Sequence, residues 1–204
     1  MTGNMMTGQD SRSQDGDQTG GSAPSASLRC HLAAAVFADI PELTEDMEAR
    51  PETGESALAF AQRLLNCPAP EEAVTFTAQL FVRRVAIWWG HECLRHLERL
   101  LDPTDLEMMA LCAAWVATPD EAHRRHVSDM AESCATRSPG VWLGMAAGWA
   151  GGSLAPPESP VVAPPRFLTG RGVNAAVLSA LARAPRADRQ ETLETFIAMA
   201  HDLV

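Results

Sequence analysis

Two histidines and a glutamate stand close together in one short run of the chain, His91-Glu92-Cys93-Leu94-Arg95-His96. The run differs from the HExxH zinc motif by one extra residue between the histidines. On a helix that turns by about 100° per residue, positions i and i+5 point about 140° apart, so His91 and His96 do not share a face. The run therefore does not predict the zinc site of a metalloprotease.

A metal site built from these residues would need ligands from another helix. His123 and His126, which are spaced i, i+3, could supply them. This leaves one alternative hypothesis, a metal-dependent or other enzyme that uses the His91, Glu92 and His96 group together with these two histidines. Ion pairs and capped histidines on helix surfaces are the simpler interpretation of the same residues.

Other catalytic groups find little support in the sequence. All 16 basic residues other than histidine are arginines, and the missing lysine excludes a Walker A loop and Schiff-base chemistry. Ser153 follows two glycines without the GxSxG pattern. Cys93 has His96 one turn away, but it lies on a face that the apolar spacing predicts to be buried. We therefore expect no catalytic residue, cofactor or metal.

The five cysteines also argue against a metal knuckle or a redox pair. No two are closer than 19 residues and none forms a CxxC pair; they are Cys30, Cys67, Cys93, Cys112 and Cys134. Each lies in or beside an apolar helical run, where a free thiol behaves as a small apolar side chain. An odd number of such cysteines favours a reducing compartment, and we expect a cytoplasmic protein.

Glycines surround an arginine in the run Leu168-Thr169-Gly170-Arg171-Gly172, at the predicted start of a helix. Backbone N–H groups at such a position could hold an anion or a nucleotide phosphate. More commonly, a threonine at this position is the N-cap of the helix. Both interpretations remain open, and the N-cap is the preferred one.

Trp88 and Trp89 are adjacent but point in different directions on one predicted helix. Trp89 repeats with apolar residues at helical spacing and belongs to the core. Trp88 falls about 100° away, in a charged stripe. A tryptophan beside arginines is typical of a binding anchor, although coverage by the chain itself is an alternative. The candidate partner-binding residues are Arg84, Trp88, Glu92, Arg95 and Arg99.

The charge of the chain is strongly negative, with a formal net charge of −10. Six acids and one base lie between Glu42 and Glu55. An acidic chain repels nucleic acid, so we expect no nucleic-acid partner. We expect the acidic segment to lie against basic helices of the same fold; a basic face for an anionic partner is the alternative. The clustered bases are Arg83, Arg84, Arg95, Arg99, Arg124 and Arg125.

The apolar pattern after residue 27 is helical and contains no alternating strand. Residues 1–27 are polar and small, which predicts a disordered tail. Helices are expected over 27–37, 55–66, 70–81 with a possible continuation to 101, 104–117, 118–135, 142–149, 169–184 and 185–203. The predicted fold is all-α, a compact irregular bundle of seven to nine helices in a single domain over 28–204. We expect the helix over 106–117 to lie at its centre. Residues 151–165 are expected to form a Pro-rich extended strap.

One uncharged stretch, residues 138–157, has the length of a membrane span. Its helical part is expected only from about residue 141 to 150. Ten helical residues rise about 15 Å, half the thickness of a bilayer core. We therefore predict a buried helix and no membrane span.

Three motifs together resemble an uncharacterised bacterial family. They are Ala86-Ile87-Trp88-Trp89-Gly90-x-x-Cys93-x-Arg95, Trp149-x-Gly151-Gly152-Ser153-Leu154-x-Pro156-Pro157 and Leu168-Thr169-Gly170-x-x-Val173. The family is associated with type VI secretion gene neighbourhoods of proteobacteria, and the resemblance spans roughly residues 55–200. It implies a cytoplasmic accessory role and no catalytic residues. The favoured function is a non-enzymatic protein-interaction or adaptor module with an unidentified protein partner.

Overall fold

Prolines and polar caps divide the helical sequence into separate helices. Ser56 accepts a hydrogen bond from the Ala59 N–H at 3.2 Å, and Asp102 accepts one from the Asp105 N–H at 3.0 Å. Asp120 caps a third helix through the His123 N–H at 2.8 Å. Each cap satisfies a backbone donor that the first turn of a helix leaves unpaired.

The structure is a computed structural model that describes residues 1, 27–156 and 158–204. Over these residues it contains helices and two isolated β-bridges but no strand, so the predicted all-α fold is confirmed. The helices are α1 Ala33–Asp39, α2 Leu43–Asp46, α3 Ala57–Leu64, α4 Glu72–Leu80, α5 Arg83–His96, α6 Pro103–Ala117, α7 Glu121–Ser133, α8 Pro139–Gly148, α9 Leu168–Leu181 and α10 Arg189–His201, with 3₁₀ turns at Glu98–Leu100 and Arg186–Asp188.

The described part of the chain thus has ten α-helices, one more than the upper end of the expected range. The additional helix is α2, a single turn inside the acidic segment. The predicted tail falls almost entirely on residues 2–26, which lie outside the described residues. The assignment of 28–204 to a single domain stays a prediction.

Helix α8 lies at the centre of the bundle and packs against α5, α6, α7 and α9. Eight of its ten residues are buried, as predicted for this uncharged stretch. Two glycines bring α7 close, because a Cβ on Gly144 would lie 3.1 Å from Ala131 and one on Gly148 only 2.5 Å from the Ser128 hydroxyl. No helix in the described ranges is long and apolar enough to cross a membrane.

The expectation that residues 106–117 form the central helix is wrong. Helix α6 buries Met108, Cys112 and Trp115, but Leu106 and Ala110 are exposed on its outer side. Leucine and alanine at the surface are common in folded proteins, so an apolar helix need not be enclosed on every side. Helix α8 takes the central place because its glycines and alanines allow neighbouring helices to approach.

The segment before α1 is extended, which corrects the predicted helix start at Ser27. Leu28 pairs with Phe81 and Leu32 pairs with Ser56 in isolated bridges. The Arg29 N–H donates to the Leu80 carbonyl at 2.8 Å, and the Val82 N–H donates to the Ser27 carbonyl at 3.0 Å. The same pairing holds Phe81 in an extended conformation, so α4 and α5 are separate helices.

The Pro-rich segment between α8 and α9 is non-helical, as predicted, and folds back on itself. The Leu154 N–H donates to the Val162 carbonyl at 2.8 Å. The Ser153 hydroxyl accepts from the Ala155 and Val162 N–H groups, both at 3.0 Å. Val161 and Val162 are exposed at the surface.

Candidate functional site

Helix α5 places two tryptophans in different environments. Trp89 is fully buried, and its indole N–H donates to the Phe196 carbonyl at 2.9 Å. This bond ties α5 to α10 and satisfies the polar atom of a buried ring. Trp88 is half-buried and stacks on the imidazole of His91, with ring centroids 5.0 Å apart and planes inclined by 8°. Trp89 is therefore a core residue and Trp88 reaches the surface.

One face of Trp88 borders a small groove between α5 and the end of α10. The groove has a volume of about 160 Å³ and is lined by Trp88, Glu92, Met199, Asp202 and Leu203. We call it the Trp88 groove. The two alternatives drawn from the sequence, coverage by the chain and exposure, each hold in part. The end of α10 approaches the indole without closing over it.

The carboxylate of Glu92 is held by two neighbours on its own helix. His91 Nδ1 lies 3.0 Å from one carboxylate oxygen, and Arg95 bonds both oxygens through its guanidinium. Burial raises the pKa of this carboxyl, but the hydrogen bonds from Arg95 and His91 outweigh it, so the pKa of Glu92 is lowered. Glu92 is an ionised, fully engaged carboxylate at neutral pH and is poorly suited to act as a general base.

The three candidate arginines occupy different positions along this side of the molecule. Arg84 donates from Nε to the Val116 carbonyl at 2.8 Å, near the end of α6. Arg95 pairs with Glu92 and keeps a side chain that is 61% exposed. Arg99 lies beyond α5, in the exposed 3₁₀ turn Glu98–Leu100. Arg84, Trp88, Glu92 and Arg95 therefore follow one another along α5, and Arg99 continues the row past its end.

The histidines of the enzyme hypothesis have separate packing or capping roles. His91 stacks on Trp88, and the His96 ring lies edge-on to Phe196 at 6.1 Å. His123 Nδ1 lies 2.8 Å from the carboxylate of Asp120 at the start of α7, and His126 is exposed. The described ranges contain no group of three or more His, Cys, Asp or Glu side chains placed to hold a metal ion. The hypothesis of a shared metal site finds no ligand set there.

The preferred interpretation of Thr169 as an N-cap is wrong. Helix α9 begins at Leu168, and the Thr169 hydroxyl donates to the Trp149 carbonyl at 2.9 Å. Gly170 and Gly172 allow close packing, because a Cβ on Gly170 would lie 2.3 Å from Gln79 and one on Gly172 would lie 2.7 Å from Ala146. These glycines therefore face protein atoms of α4 and α8 and serve helix packing. The anion interpretation of this run stays an alternative.

Arg171, within the same run, contacts the acidic segment. Its guanidinium forms two hydrogen bonds of 3.0 Å with Asp46. A second pair in the segment joins Glu55 to Arg63 at 2.8 Å. The acidic segment therefore lies against basic residues of its own fold, as expected from the sequence.

Buried charge is the feature that the sequence analysis missed. Arg124, counted there among the clustered bases, is only 4% exposed. Both Nε and Nη2 donate to Glu121 at 2.7 Å, and Nη1 bonds the Gly148 carbonyl at the end of α8. The spacing of Glu121 and Arg124, i and i+3, was the available signal, but the acceptor on α8 is visible only in three dimensions.

Comparison with known proteins places these features in a family. The model of DUF6931, a family of unknown function, matches residues 60–204, well over half of the chain. The chain belongs to this family. The matched region of DUF6931 contains α4 to α10 and the whole Trp88 groove, and it agrees with the span of the resemblance drawn from the motifs. The chain matches no curated protein and no solved structure.

Proposed function

We propose that this protein is a non-catalytic interaction module that docks a protein partner through the Trp88 groove. The supporting observation is the half-buried indole of Trp88, which forms one wall of an apolar groove with Met199 and Leu203. Glu92 and Asp202 stand at the rim. An aromatic side chain inside a ring of polar residues is the usual anatomy of a binding hot spot.

The size of the groove defines the part of the partner that enters it. Its volume of about 160 Å³ is close to that of an apolar cavity, about 150 Å³, that accommodates a benzene molecule. One aromatic or long aliphatic side chain would fill it. The partner is therefore a protein segment that presents a single apolar anchor residue, which would stack on the indole and contact the Met199 and Leu203 side chains.

The charges around the groove are balanced. Three arginines and three carboxylates lie along this side of the molecule, and of these Glu92 and Asp202 line the groove itself. They are Arg84, Arg95, Arg99, Glu92, Glu98 and Asp202. A balanced rim produces little long-range attraction for either sign of charge, so burial of the anchor residue supplies most of the affinity.

The resemblance drawn from the sequence motifs adds a cellular setting to this proposal. It supports a cytoplasmic accessory role in a bacterial secretion system, with the partner among the components of a type VI machine. This part of the proposal rests on the resemblance. Identification of the captured partner by mass spectrometry tests it.

Site-specific photocrosslinking tests the docking surface. The photoreactive residue p-benzoylphenylalanine replaces Asp202 at the rim of the groove, and a control protein carries it at the exposed residue Glu191 near the other end of α10. In host cells we expect a covalent adduct from position 202 and none from position 191. The adduct from position 202 is expected to disappear when Trp88→Ala is added.

Two outcomes would overturn the proposal. Equal adducts from both positions would indicate non-specific contact along α10. An adduct at position 202 that persists in a folded Trp88→Ala protein would indicate that the indole is not part of the docking surface. Circular dichroism of the Trp88→Ala variant separates loss of binding from loss of fold.

A further inference from the structure

Three arginines from separate parts of the chain line one open pocket near the start of α5. Arg29 comes from the extended segment before α1, Arg83 begins α5, and Arg166 precedes α9. The pocket has a volume of about 440 Å³, and its remaining lining residues are Cys30, Asp39 and Val82. We call it the arginine pocket.

The arginine pocket carries an excess of positive charge. Asp39 is the one carboxylate in its lining, and it is shared by Arg29 at 3.1 Å and by Arg166. Arg83 forms no ion pair within the described ranges; its guanidinium donates to the Pro164 carbonyl at 3.0 Å and the Pro165 carbonyl at 3.3 Å. Three positive charges and one negative charge leave a net charge of two positive units.

The three guanidinium groups are close enough to influence one another. Partial burial lowers the pKa of Arg83, and the positive charges of Arg29 and Arg166 lower it further. Like charges that gather without a matching carboxylate are stabilised by a bound anion. Because carbonyl oxygens fix the orientation of Arg83, its charge is held at the pocket and cannot turn freely into solvent.

The beginning of α5 adds to the positive potential of the arginine pocket. Val82, the N-cap residue, offers no side-chain acceptor, and the first turn contains no acid. Val82 lines the pocket, so the unpaired N–H groups in the first turn of α5 lie next to the pocket wall. A helix of 14 residues carries a partial positive charge at this end, which disfavours the arginines placed there unless an anion is present.

We propose that the arginine pocket binds a phosphate-type dianion. The two negative charges of such an ion match the excess charge of the lining, and the planar fork of arginine donates to pairs of phosphate oxygens. The pocket is larger than a single phosphate group, so inorganic phosphate and the phosphoryl group of a small phosphomonoester share the chemistry that it recognises. This inference does not depend on the Trp88 groove.

Equilibrium dialysis of the full-length protein against radiolabelled inorganic phosphate measures this binding directly. Sodium chloride holds the ionic strength constant. We expect saturable binding of one phosphate with a dissociation constant below about 1 mM, and competition by phenyl phosphate. Tighter competition by phenyl phosphate than by unlabelled phosphate would identify a phosphomonoester as the preferred ligand, and equal competition would identify the inorganic ion.

Two substitutions locate the bound anion. Arg83→Gln removes the unpaired charge, and Arg166→Gln removes a side chain that is 69% exposed and contacts Asp39. Each is expected to weaken phosphate binding at least tenfold. The matched control Arg186→Gln alters an exposed arginine in a 3₁₀ turn and is expected to bind phosphate as the wild type does. Because Arg166 is so exposed, its variant keeps the fold even if Arg83→Gln loosens the Pro-rich segment.

The half-buried Cys30 lines the pocket, so the rate at which its thiol is alkylated gives a second measure of phosphate binding. Bound phosphate is expected to slow alkylation of Cys30 by iodoacetamide at least threefold, while Cys67 reacts at an unchanged rate. Absence of saturable phosphate binding, or binding that both the Arg83 and Arg166 variants retain in full, would overturn the proposal.

Discussion

Asp105 and Arg183 form an ion pair in which the carboxylate is completely buried. Arg183 Nη1 lies 2.9 Å from Oδ2 of Asp105, while the arginine side chain remains one-third exposed. The other carboxylate oxygen accepts a hydrogen bond of 2.7 Å from the Gly140 N–H. The Asp105 side chain therefore joins the first turn of α6, to which it belongs, to the first turn of α8 and to Arg183 just after α9.

Removal of Arg183 is expected to destabilise the protein. Arg183→Ala leaves the buried carboxylate of Asp105 with backbone donors only. Because the arginine is one-third exposed, the loss is smaller than for a fully buried pair, and we expect the free energy of unfolding to fall by about 2 to 3 kcal/mol. Urea denaturation measures this difference. The control Arg186→Ala, at an exposed residue nearby, is expected to change stability by less than about 0.5 kcal/mol. Equal losses in the two variants would show that the buried pair has no special role.

The contact between α6 and α8 has no space for a side chain at Gly140. A Cβ there would lie 2.5 Å from both the Cα and the carbonyl oxygen of Asp105, which are backbone atoms. Gly140→Ala is therefore expected to lower the free energy of unfolding by about 1 to 3 kcal/mol. Gly151→Ala is the matched control, since its Cβ would meet only an arginine side-chain carbon at 4.0 Å. A Gly140→Ala protein as stable as this control would contradict the described approach of the two helices.

The cysteines are expected to divide into two reactivity classes. Burial raises the pKa of the Cys93 and Cys112 thiols, so neither forms a thiolate at neutral pH. Iodoacetamide applied to the native protein should leave both unmodified while the half-buried Cys30, Cys67 and Cys134 react. Mass spectrometry of the digested protein locates the labels. Rapid labelling of Cys93 would reopen the question of a thiol nucleophile beside His96.

Stability is expected to depend on pH through the Glu55–Arg63 pair. The hydrogen bonds from Arg63 lower the pKa of Glu55, burial raises it by less, and the Glu52 N–H lowers it further. A carboxyl with a lowered folded-state pKa adds stability above its ordinary pKa of 4.5, and this contribution is lost as the pH falls through the folded-state value.

The substitution Arg63→Gln tests this dependence. At pH 7 the variant should be less stable than the wild type by about 1 kcal/mol, because the charged pair is lost. The difference should shrink as Glu55 becomes protonated toward pH 3. Chemical denaturation at several pH values provides the comparison. The Arg63 guanidinium also lies over the Phe60 ring, 5.0 Å from its centroid. A difference that stays constant between pH 7 and pH 3 would assign the effect to this contact.

The salt dependence of partner binding distinguishes an apolar anchor from a basic binding face. Because the arginines around Trp88 are balanced by carboxylates, an increase from 50 to 500 mM salt should change the dissociation constant by less than about threefold. A loss of affinity by tenfold or more would favour the alternative drawn from the sequence, an anionic partner on a basic face. Calorimetric titration with the purified partner measures either result.

Much of the fold could be predicted because helix ends depend on local chemistry. Pro103 and the Asp102 cap start α6, and Asp120 starts α7, with donors and acceptors only three residues apart. The burial of Trp89 also followed from helical spacing. Spacing placed a helix end at Phe81 but left a continuation open, and it gave no sign of the extended segment at Leu28, because the two positions pair across about fifty residues.

Only the part of the candidate site that lies on α5 could be predicted from the sequence. Spacing separated Trp88 from the core face and aligned it with Arg84, Glu92 and Arg95, but it gave no indication that the end of α10 approaches the indole. The anchor-sized groove exists because Met199 and Leu203 lie beside Trp88. The arginine pocket was missed for the same reason, since its three arginines are far apart in sequence.

The dissociation constant of the purified partner, measured with wild type, Trp88→Phe and Trp88→Ala, tests the docking proposal most directly. We predict that Trp88→Ala weakens binding at least tenfold, about 1.4 kcal/mol, while its melting curve remains cooperative and Trp88→Phe keeps most of the affinity. Phenylalanine retains an aromatic wall for the groove, whereas alanine removes it. An unchanged dissociation constant for a folded Trp88→Ala protein would contradict the account.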